Sequence, residues 1–365
     1  HRRERDAERR DDPARRGDPD GDPVVGPLAG VRIVEILGIG PGPFAGMMLA
    51  DMGAEVTAVT RPGGFGDLDF EVDITRRGKR FVELDLKAEA GRAALLDLVR
   101  DADALFEGFR PGVMERLGLG PEDLRAVNRR LVYGRITGWG QEGPLARVAG
   151  HDLTYAAVAG AIHPIGPADR PPSVPLNLVA DFGGGGMLLV AGLLAALLEA
   201  GRTGEGRVVD AAMVDGASLL MTMFHSLHAS GRWRDAREAN FLDGGAPFYR
   251  CYATRDGRFM AVAAIEAGFW RIFVERMGLG PDWVARQNDP EAWPGFRAEL
   301  EARFAARDQA DWVALFEGTD ACVAPVLPFR EAPEHPQAVA RGAFIEREGV
   351  VEPAPAPRFS RPGGG

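Results

Sequence analysis

Val31-Arg32-Ile33-Val34-Glu35-Ile36 is followed by Gly38-Ile39-Gly40-Pro41-Gly42-Pro43, then by Phe44 to Met52, Gly53, and Glu55 to Thr60. The first and last of these segments are rich in β-branched residues and read as short strands. Phe44 to Met52 reads as the helix between them, ended by Gly53. Strand, glycine turn, helix and strand open a doubly wound α/β domain, so the expected fold class is α/β with a Rossmann-like large domain.

A dinucleotide site is the ready inference from such an opening, and the residues argue against it. Counting from Gly38, Pro43 stands where the third glycine of G-x-G-x-x-G belongs. Counting from Gly40, Ala45 meets the looser form, but Pro41 and Pro43 lack the N–H groups that cradle a pyrophosphate. The second strand ends in Thr60-Arg61, where a ribose-binding acid is expected. An arginine there suits a phosphate. The plainer reading is a surface arginine at a strand end.

Moving outward, Thr75-Arg76-Arg77-Gly78-Lys79-Arg80 is a dense basic turn before the alternating strand Phe81 to Lys87. It hints at an anionic ligand, although most charge runs are solvated. Glu89 to Asp101 is an amphipathic helix. Ala104-Leu105-Phe106 is a strand running into Glu107-Gly108-Phe109-Arg110-Pro111-Gly112, and Leu131 to Thr137 is another strand. Arg61 and Arg110 thus both follow strands, on the edge where open α/β sheets bind ligands. Lys87 ends a further strand. Cations so placed fit a ligand with several phosphates.

Length and composition bound the rest. A chain of 365 residues accommodates two domains, and its 45% hydrophobic residues supply a sizeable core. A net charge of −10 argues against general nucleic-acid binding. Cys251 and Cys322 lie far apart with no CxxC spacing, so neither a metal site nor a disulfide framework is expected and a cytoplasmic location fits. The charged N-terminus has no signal-peptide pattern. The apolar run Met187 to Leu198 is too short for a bilayer and reads as a buried helix, so no membrane is expected.

Residues 1–23 read as a disordered tail, and the last residues from Pro353 to Gly365 as loose. Residues 24–230 form the large α/β domain, to which 326–365 are expected to return. Within it a helix runs on from Val190 to Ala200, stopped by Gly201. Val208 to Met213 is a strand, and Asp215 to Ala229 one long helix. Residues 240–325 form a smaller α+β domain. It has a hairpin of Tyr249–Thr254 and Arg258–Ala264 closed through Asp256-Gly257, then helices at Ala267–Met277, Trp293–Ala306 and Gln309–Glu317.

The stretch Ala149 to Ala200 holds the residues best suited to chemistry. His151 follows Gly150 in a polar loop; it can act as base and acid near neutral pH. Taken alone, a histidine is more often a packed or surface side chain. Asn177 and Asp181 are four residues apart, and Asp181 almost abuts the four glycines Gly183 to Gly186. A helix starting near Gly183 makes Asp181 a capping residue. It would also leave the N–H groups of Gly183 and Gly184 open to a developing oxyanion. Glu266, just after a strand of the smaller domain, reads as an ordinary helix-start acid or as a group orienting a histidine. Met221 and Met223 read as core more than as a cofactor box; together with Met187 and Met213 they also permit a loose apolar surface for varied acyl chains.

Together, Gly38–Pro43, Arg77–Arg80, Phe109–Gly112, Gly150–Asp152, Asn177–Gly185, Val209–Met213 and Leu242-Asp243-Gly244-Gly245-Ala246-Pro247 are far more specific than any one of them. Over about residues 25 to 345 the chain resembles the family III CoA-transferase superfamily and, within it, the alpha-methylacyl-CoA racemases. The resemblance implies an interlocked homodimer. It implies an acyl-CoA substrate lying against the large domain, with Arg61, Leu84, Lys87, Arg110 and Arg116 near the CoA. It also implies His151 and Asp181 as the catalytic acid/bases, Asn177 supporting Asp181, and Glu266 of the partner subunit pairing with His151.

The chemistry of a thioester then sets the expectation. Its α-hydrogen is a weak acid, and racemisation needs one proton-transfer group on each face of that carbon. His151, neutral, would take the proton while a protonated Asp181 delivers one to the other face, and the roles swap in reverse. Asp181 must then hold its proton near neutral pH, which asks for a sheltered site. The reaction needs no metal or redox cofactor. A CoA-transferase with Asp181 as nucleophile is the rival reading. A binding protein without chemistry would explain the cations, but not His151, Asp181 and Glu266 together.

Overall fold

A computed structural model of the chain describes residues 26–64 and 70–360. The expected tail, 1–23, and the end of the chain from residue 361 lie outside the described residues. In chain order the elements begin β1 (Arg32–Ile36), α1 (Pro41–Asp51), β2 (Glu55–Thr60), β3 (Lys79–Glu83), α2 (Glu89–Arg100), β4 (Ala104–Glu107), α3 (Val113–Arg116), α4 (Pro121–Val127) and β5 (Val132–Thr137). Then come α5 (Asp152–Val158), a π-helical turn (Leu178–Gly186), α6 (Met187–Thr203), β6 (Val208–Ala212), α7 (Met213–Leu220) and α8 (Thr222–Ala229). The remainder is β7 (Tyr249–Ala253), β8 (Phe259–Ala263), α9 (Ala267–Arg276), α10 (Pro281–Ala285), α11 (Trp293–Phe304), α12 (Gln309–Phe316), β9 (Val323–Val326), α13 (Pro336–Arg341), β10 (Phe344–Arg347) and β11 (Val350–Pro353).

The chain divides into two compact units. One takes the described chain up to Arg147, Gly186–Ala211 and the described residues from Pro355 onward; the other takes Val148–Gly185 and Ala212–Ala354. This differs from the division drawn on composition. The change of character near residue 240 marks the start of an aromatic-rich core, not the point where the chain leaves the first unit. Most of 326–365 likewise belongs with the second unit, as α13 and the β10–β11 hairpin that sequence periodicity missed.

The first unit is a six-stranded sheet in the order β3-β2-β1-β4-β5-β6, with β1–β2, β1–β4, β2–β3 and β4–β5 all parallel. The order reverses between β1 and β4, which makes the crevice outside their carboxyl ends the ligand-binding edge of such a sheet. Ile33, Leu105, Phe106 and Val132 are buried, as strands covered on both faces require. Leu189 and Leu193 of α6 lie against Gly134 of β5.

Several elements depart from expectation for identifiable reasons. Helix α1 begins at Pro41, three residues early, because proline at the first helical positions needs no N–H partner. The strand expected at Phe81–Lys87 is β3, Lys79–Glu83, which leaves Lys87 in the following turn. The expected helix Asp215–Ala229 is two helices meeting at Met221. Helix α6 runs past Gly201 to Thr203 and is capped by Gly204 in the left-handed region. With the π turn it makes a helical run of 26 residues, long and apolar enough by composition to cross a bilayer, unlike Met187–Leu198 alone. Leu189, Val190, Leu193, Ala196 and Ala200 are nevertheless buried, so one face of α6 packs in the core, while Met187 and Leu198 are exposed.

The basic turn before β3 is in part structural. The Lys79 ammonium is fully buried and bonds the Glu35 carboxylate at 2.6 Å and the Pro43 carbonyl at 2.8 Å. Burial pushes the Glu35 carboxyl up and the Lys79 ammonium down, against the mutual attraction that favours both charges. Arg77 bonds Asp51 at 2.9 Å, and Arg76 stacks on the Phe81 ring. Two of the cations that hinted at an anionic ligand are thus structural, Lys79 joining β3 to β1 and Arg77 joining the turn to α1, while Arg76 and Arg80 are exposed.

The second unit has the antiparallel sheet β7-β8-β9. Against it lies an aromatic core around Trp270, Phe273, Phe304 and Phe316, with Phe273 and Phe316 stacked 5.6 Å apart.

Candidate active site

In the second unit, His151 is the N-cap of α5, with extended backbone (φ −141°, ψ 172°) and an exposed side chain. Thr154 fixes its peptide: the His151 N–H donates to Thr154 Oγ1 at 3.0 Å, and that hydroxyl donates back to the His151 carbonyl at 2.8 Å. The residue before it must be glycine, because a Cβ at Gly150 would stand 2.4 Å from the Tyr155 ring. Gly150-His151 is therefore a close-packed helix start that leaves the imidazole outside.

Asp152, next along, is only 3% exposed and points the other way. Its Oδ2 accepts hydrogen bonds from the N–H groups of Ala180 and Asp181, both at 2.7 Å. These are among the N–H groups that a helix beginning at Leu178 leaves without an internal partner. Asp152 thus caps the π turn from outside and ties the segment bearing His151 to the segment bearing Asp181. Its role was missed at the sequence level: Gly-His-Asp was singled out for the histidine, and a cap supplied from 28 and 29 residues away leaves no local signal.

Asp181 is half-buried within the π turn. Asn177 Nδ2 donates to its Oδ2 at 3.3 Å. Burial raises the Asp181 carboxyl above the ordinary aspartate range, and the Asp152 charge adds to the rise. The Asn177 hydrogen bond and His151 oppose it.

The glycine run needs a correction. The helix begins at Leu178, before Asp181, so Asp181 is not its cap. In a π-helix the N–H of each later residue bonds the carbonyl five positions back, which draws the Gly183 and Gly184 N–H groups into the ladder. What the missing side chains allow is packing. A Cβ at Gly184 would lie 2.7 Å from the Ala217 nitrogen, and one at Gly216 would lie 1.8 Å from the Gly184 carbonyl oxygen. Helix α7 therefore seats directly on the backbone of the π turn.

Glu266 is an exposed residue that precedes α9 and acts on the Cys322 thiol. Within the chain no hydrogen bond joins it to His151, among the described residues. Of the methionines singled out, Met223 is 51% exposed, against its core reading; Met187 is 48% exposed and Met213 is buried.

The first unit carries the candidate anion-binding residues at the carboxyl ends of its strands. Arg61 follows β2, and its guanidinium bonds the Gly64 carbonyl. Leu84 follows β3 directly, with Lys87 three residues on in a turn, where its carbonyl accepts from Arg92. Arg110 lies in the loop after β4 and Arg116 ends α3; both are exposed. Beneath that loop is a buried group the sequence reading passed over. Glu107, 3% exposed, accepts from the Phe109 N–H at 2.6 Å, and its other oxygen is 3.6 Å from the Arg135 guanidinium. Burial pushes the Glu107 carboxyl up to about 7. Arg135 also bonds Glu115 and, at 2.7 Å, Gln141. A carboxylate and a guanidinium inside apolar strands were the available signal.

Comparison with known proteins decides the family. The profile of CoA-transferase family III matches residues 28–362, nearly all of the chain. The chain belongs to CoA-transferase family III. Mouse alpha-methylacyl-CoA racemase is 45% identical over 335 residues, covering 92% of this chain and 87% of the mouse protein. Acetyl-CoA:oxalate CoA-transferase of Acetobacter aceti is 32% identical over 346 residues, covering 90% and 88%. Among solved structures, a CAIB/BAIF family protein from Brucella suis superposes with a TM-score of 0.77 at 29% identity, covering 92% of this chain and 93% of that one. The α/β fold expected from the first sixty residues is thus that of CoA-transferase family III.

Proposed function

We propose that this chain racemises 2-methylacyl-CoA thioesters at the α-carbon by 1,1-proton transfer through an enolate, with His151 and Asp181 as the two acid/bases. One observation carries the reading. Asp152 bonds the N–H groups of Ala180 and Asp181 at 2.7 Å while its neighbour in sequence is His151. Two groups able to exchange protons are thereby held at a fixed separation, one capping α5 and one within the π turn. The raised Asp181 carboxyl is what a proton donor near neutral pH requires. The higher identity to a racemase, 45% against 32% for a transferase, supports the same choice.

Arg61, Leu84, Lys87, Arg110 and Arg116 are the proposed CoA-binding residues, the cations answering the phosphates and Leu84 the apolar part. The protein is proposed to act as a homodimer in which Glu266 of the partner subunit orients His151. Exposed Met187 and Met223 fit contact with varied acyl chains. Proton transfer changes no oxidation state, so the reading calls for no redox cofactor.

The transferase alternative makes Asp181 a nucleophile, which must be ionised to attack. A carboxyl raised by burial is the weaker candidate for that role. The discriminating experiment incubates one enantiomer of a 2-methylacyl-CoA with the protein and follows the enantiomeric ratio by chiral chromatography. Appearance of the other enantiomer without an acceptor acid, abolished in His151→Ala, supports the racemase. CoA movement only when a free carboxylic acid is added supports the transferase.

A further inference from the structure

The Asp152 carboxylate has an unexplained half. Oδ2 accepts two backbone N–H groups, but Oδ1 is buried and has no hydrogen-bond partner among the described residues. A neutral side chain of the same length would serve for capping alone, since an asparagine amide oxygen accepts N–H bonds as a carboxylate oxygen does. A carboxylate oxygen sealed from water without a donor costs stability, and what it offers that a neutral cap lacks is a negative charge.

We propose that Asp152 is a positioning residue for the acid/base pair: it fastens the π turn that carries Asp181 to the start of α5 that carries His151, and it sets a buried negative charge beside Asp181. This rests on the reading of His151 and Asp181 given above. Four groups bear on Asp181 or its turn. Asp152 and His151 come from the start of α5, Asn177 from the approach to the turn, and the backbone of Gly216 and Ala217 from α7. Only Asp152 among them adds negative charge. It raises the Asp181 carboxyl in the same direction as burial does, while Asn177 and His151 lower it.

The test removes the charge with and without the cap. In Asp152→Asn the amide oxygen keeps the two N–H bonds while the anion is gone; in Asp152→Ser, whose shorter side chain does not reach those N–H groups, the anion and the bonds are both gone. The first readout is carbon-13 NMR of proteins made with carboxyl-labelled aspartate, with the Asp181 resonance assigned by its loss in Asp181→Asn. The Asp181 titration midpoint is expected to fall by about one pH unit in both neutral variants, the size of effect a neighbouring like charge imposes. Asp152→Glu, which keeps the charge, should return the midpoint towards that of the original protein.

The second readout is the pH profile of turnover. The basic limb reports loss of the proton that the donor must carry. Loss of the adjacent anion should move that limb to lower pH by a similar amount, with the maximal rate falling less than about tenfold. An Asp181 midpoint that does not move in either neutral variant overturns the proposal and leaves Asp152 a plain cap. The NMR midpoint needs no turnover. A moved midpoint in a protein that fails to racemise would sink the functional reading while leaving the charge effect of Asp152 standing.

Discussion

Replacing Glu107 by Gln should make the protein more stable at neutral pH than at acid pH relative to the parent. Glu107 lies at the carboxyl end of β4, is 3% exposed, and has its carboxyl raised from 4.5 to about 7, chiefly by burial. The folded state therefore binds this proton more tightly than the unfolded chain does. Below about pH 4 the carboxyl is protonated in both states and makes no difference. As pH rises, the unfolded carboxyl ionises first, and folding stability falls until the folded group also ionises near 7. At about 1.4 kcal/mol per pH unit, the drop is roughly 3 kcal/mol. Glutamine resembles the protonated form: its oxygen can still accept from the Phe109 N–H, and Arg135 keeps Glu115 and Gln141. The stability of Glu107→Gln minus that of the parent should thus grow by roughly 3 kcal/mol between about pH 4 and about pH 8. Urea unfolding of both proteins at a series of pH values measures it. A difference that stays constant across that range would mean that Glu107 ionises as an ordinary surface carboxyl, and the reasoning fails.

Three further outcomes follow from the packing and the charges. Lys79→Met alone leaves the Glu35 carboxylate buried without its partner and should cost about 3–5 kcal/mol in denaturant unfolding, whereas Glu35→Leu with Lys79→Met should recover most of it. In Gly216→Ala the new methyl meets the Gly184 carbonyl oxygen at 1.8 Å, so α7 or the π turn must shift; the expected cost is about 1–3 kcal/mol, with a larger fractional loss of turnover than in Gly201→Ala, where the site is open. Arg110→Met should raise KM for the acyl-CoA roughly 10- to 100-fold with kcat little changed, the signature of lost uniform binding; an unchanged KM removes Arg110 from the CoA site.

The fold was legible in the opening stretch because strand, glycine turn, helix and strand recur with the sheet's own spacing, and parallel buried strands declare themselves as short apolar runs. The same stretch also told against a dinucleotide. Pro41 and Pro43 proved to be the first turn of α1 and not loop, but their missing N–H groups matter equally in either place. Contacts made across long sequence distances were not legible. The Glu35–Lys79 pair spans 44 residues, and the basic turn looked like a ligand site because nothing local announces a buried partner. The π turn was misread for a related reason: four glycines suggest an open helix start, whereas α7, from a later part of the chain, fills the space at Gly183 and Gly184, and Phe44 and Pro41 of α1 fill it at Gly186. Asp152 stood inside a motif already singled out, but its bonds to Ala180 and Asp181 exist only in three dimensions.

The most direct test of the two-base account is deuterium wash-in at the α-carbon, followed by NMR in D₂O for each enantiomer of a 2-methylacyl-CoA separately. The parent protein should incorporate deuterium from either enantiomer while interconverting them. His151→Ala and Asp181→Asn should both lose interconversion, and each should retain exchange, with configuration kept, for one enantiomer only, opposite in the two variants. Exchange of both enantiomers by either variant, or interconversion surviving in one, would contradict the assignment of His151 and Asp181 to opposite faces of the carbon.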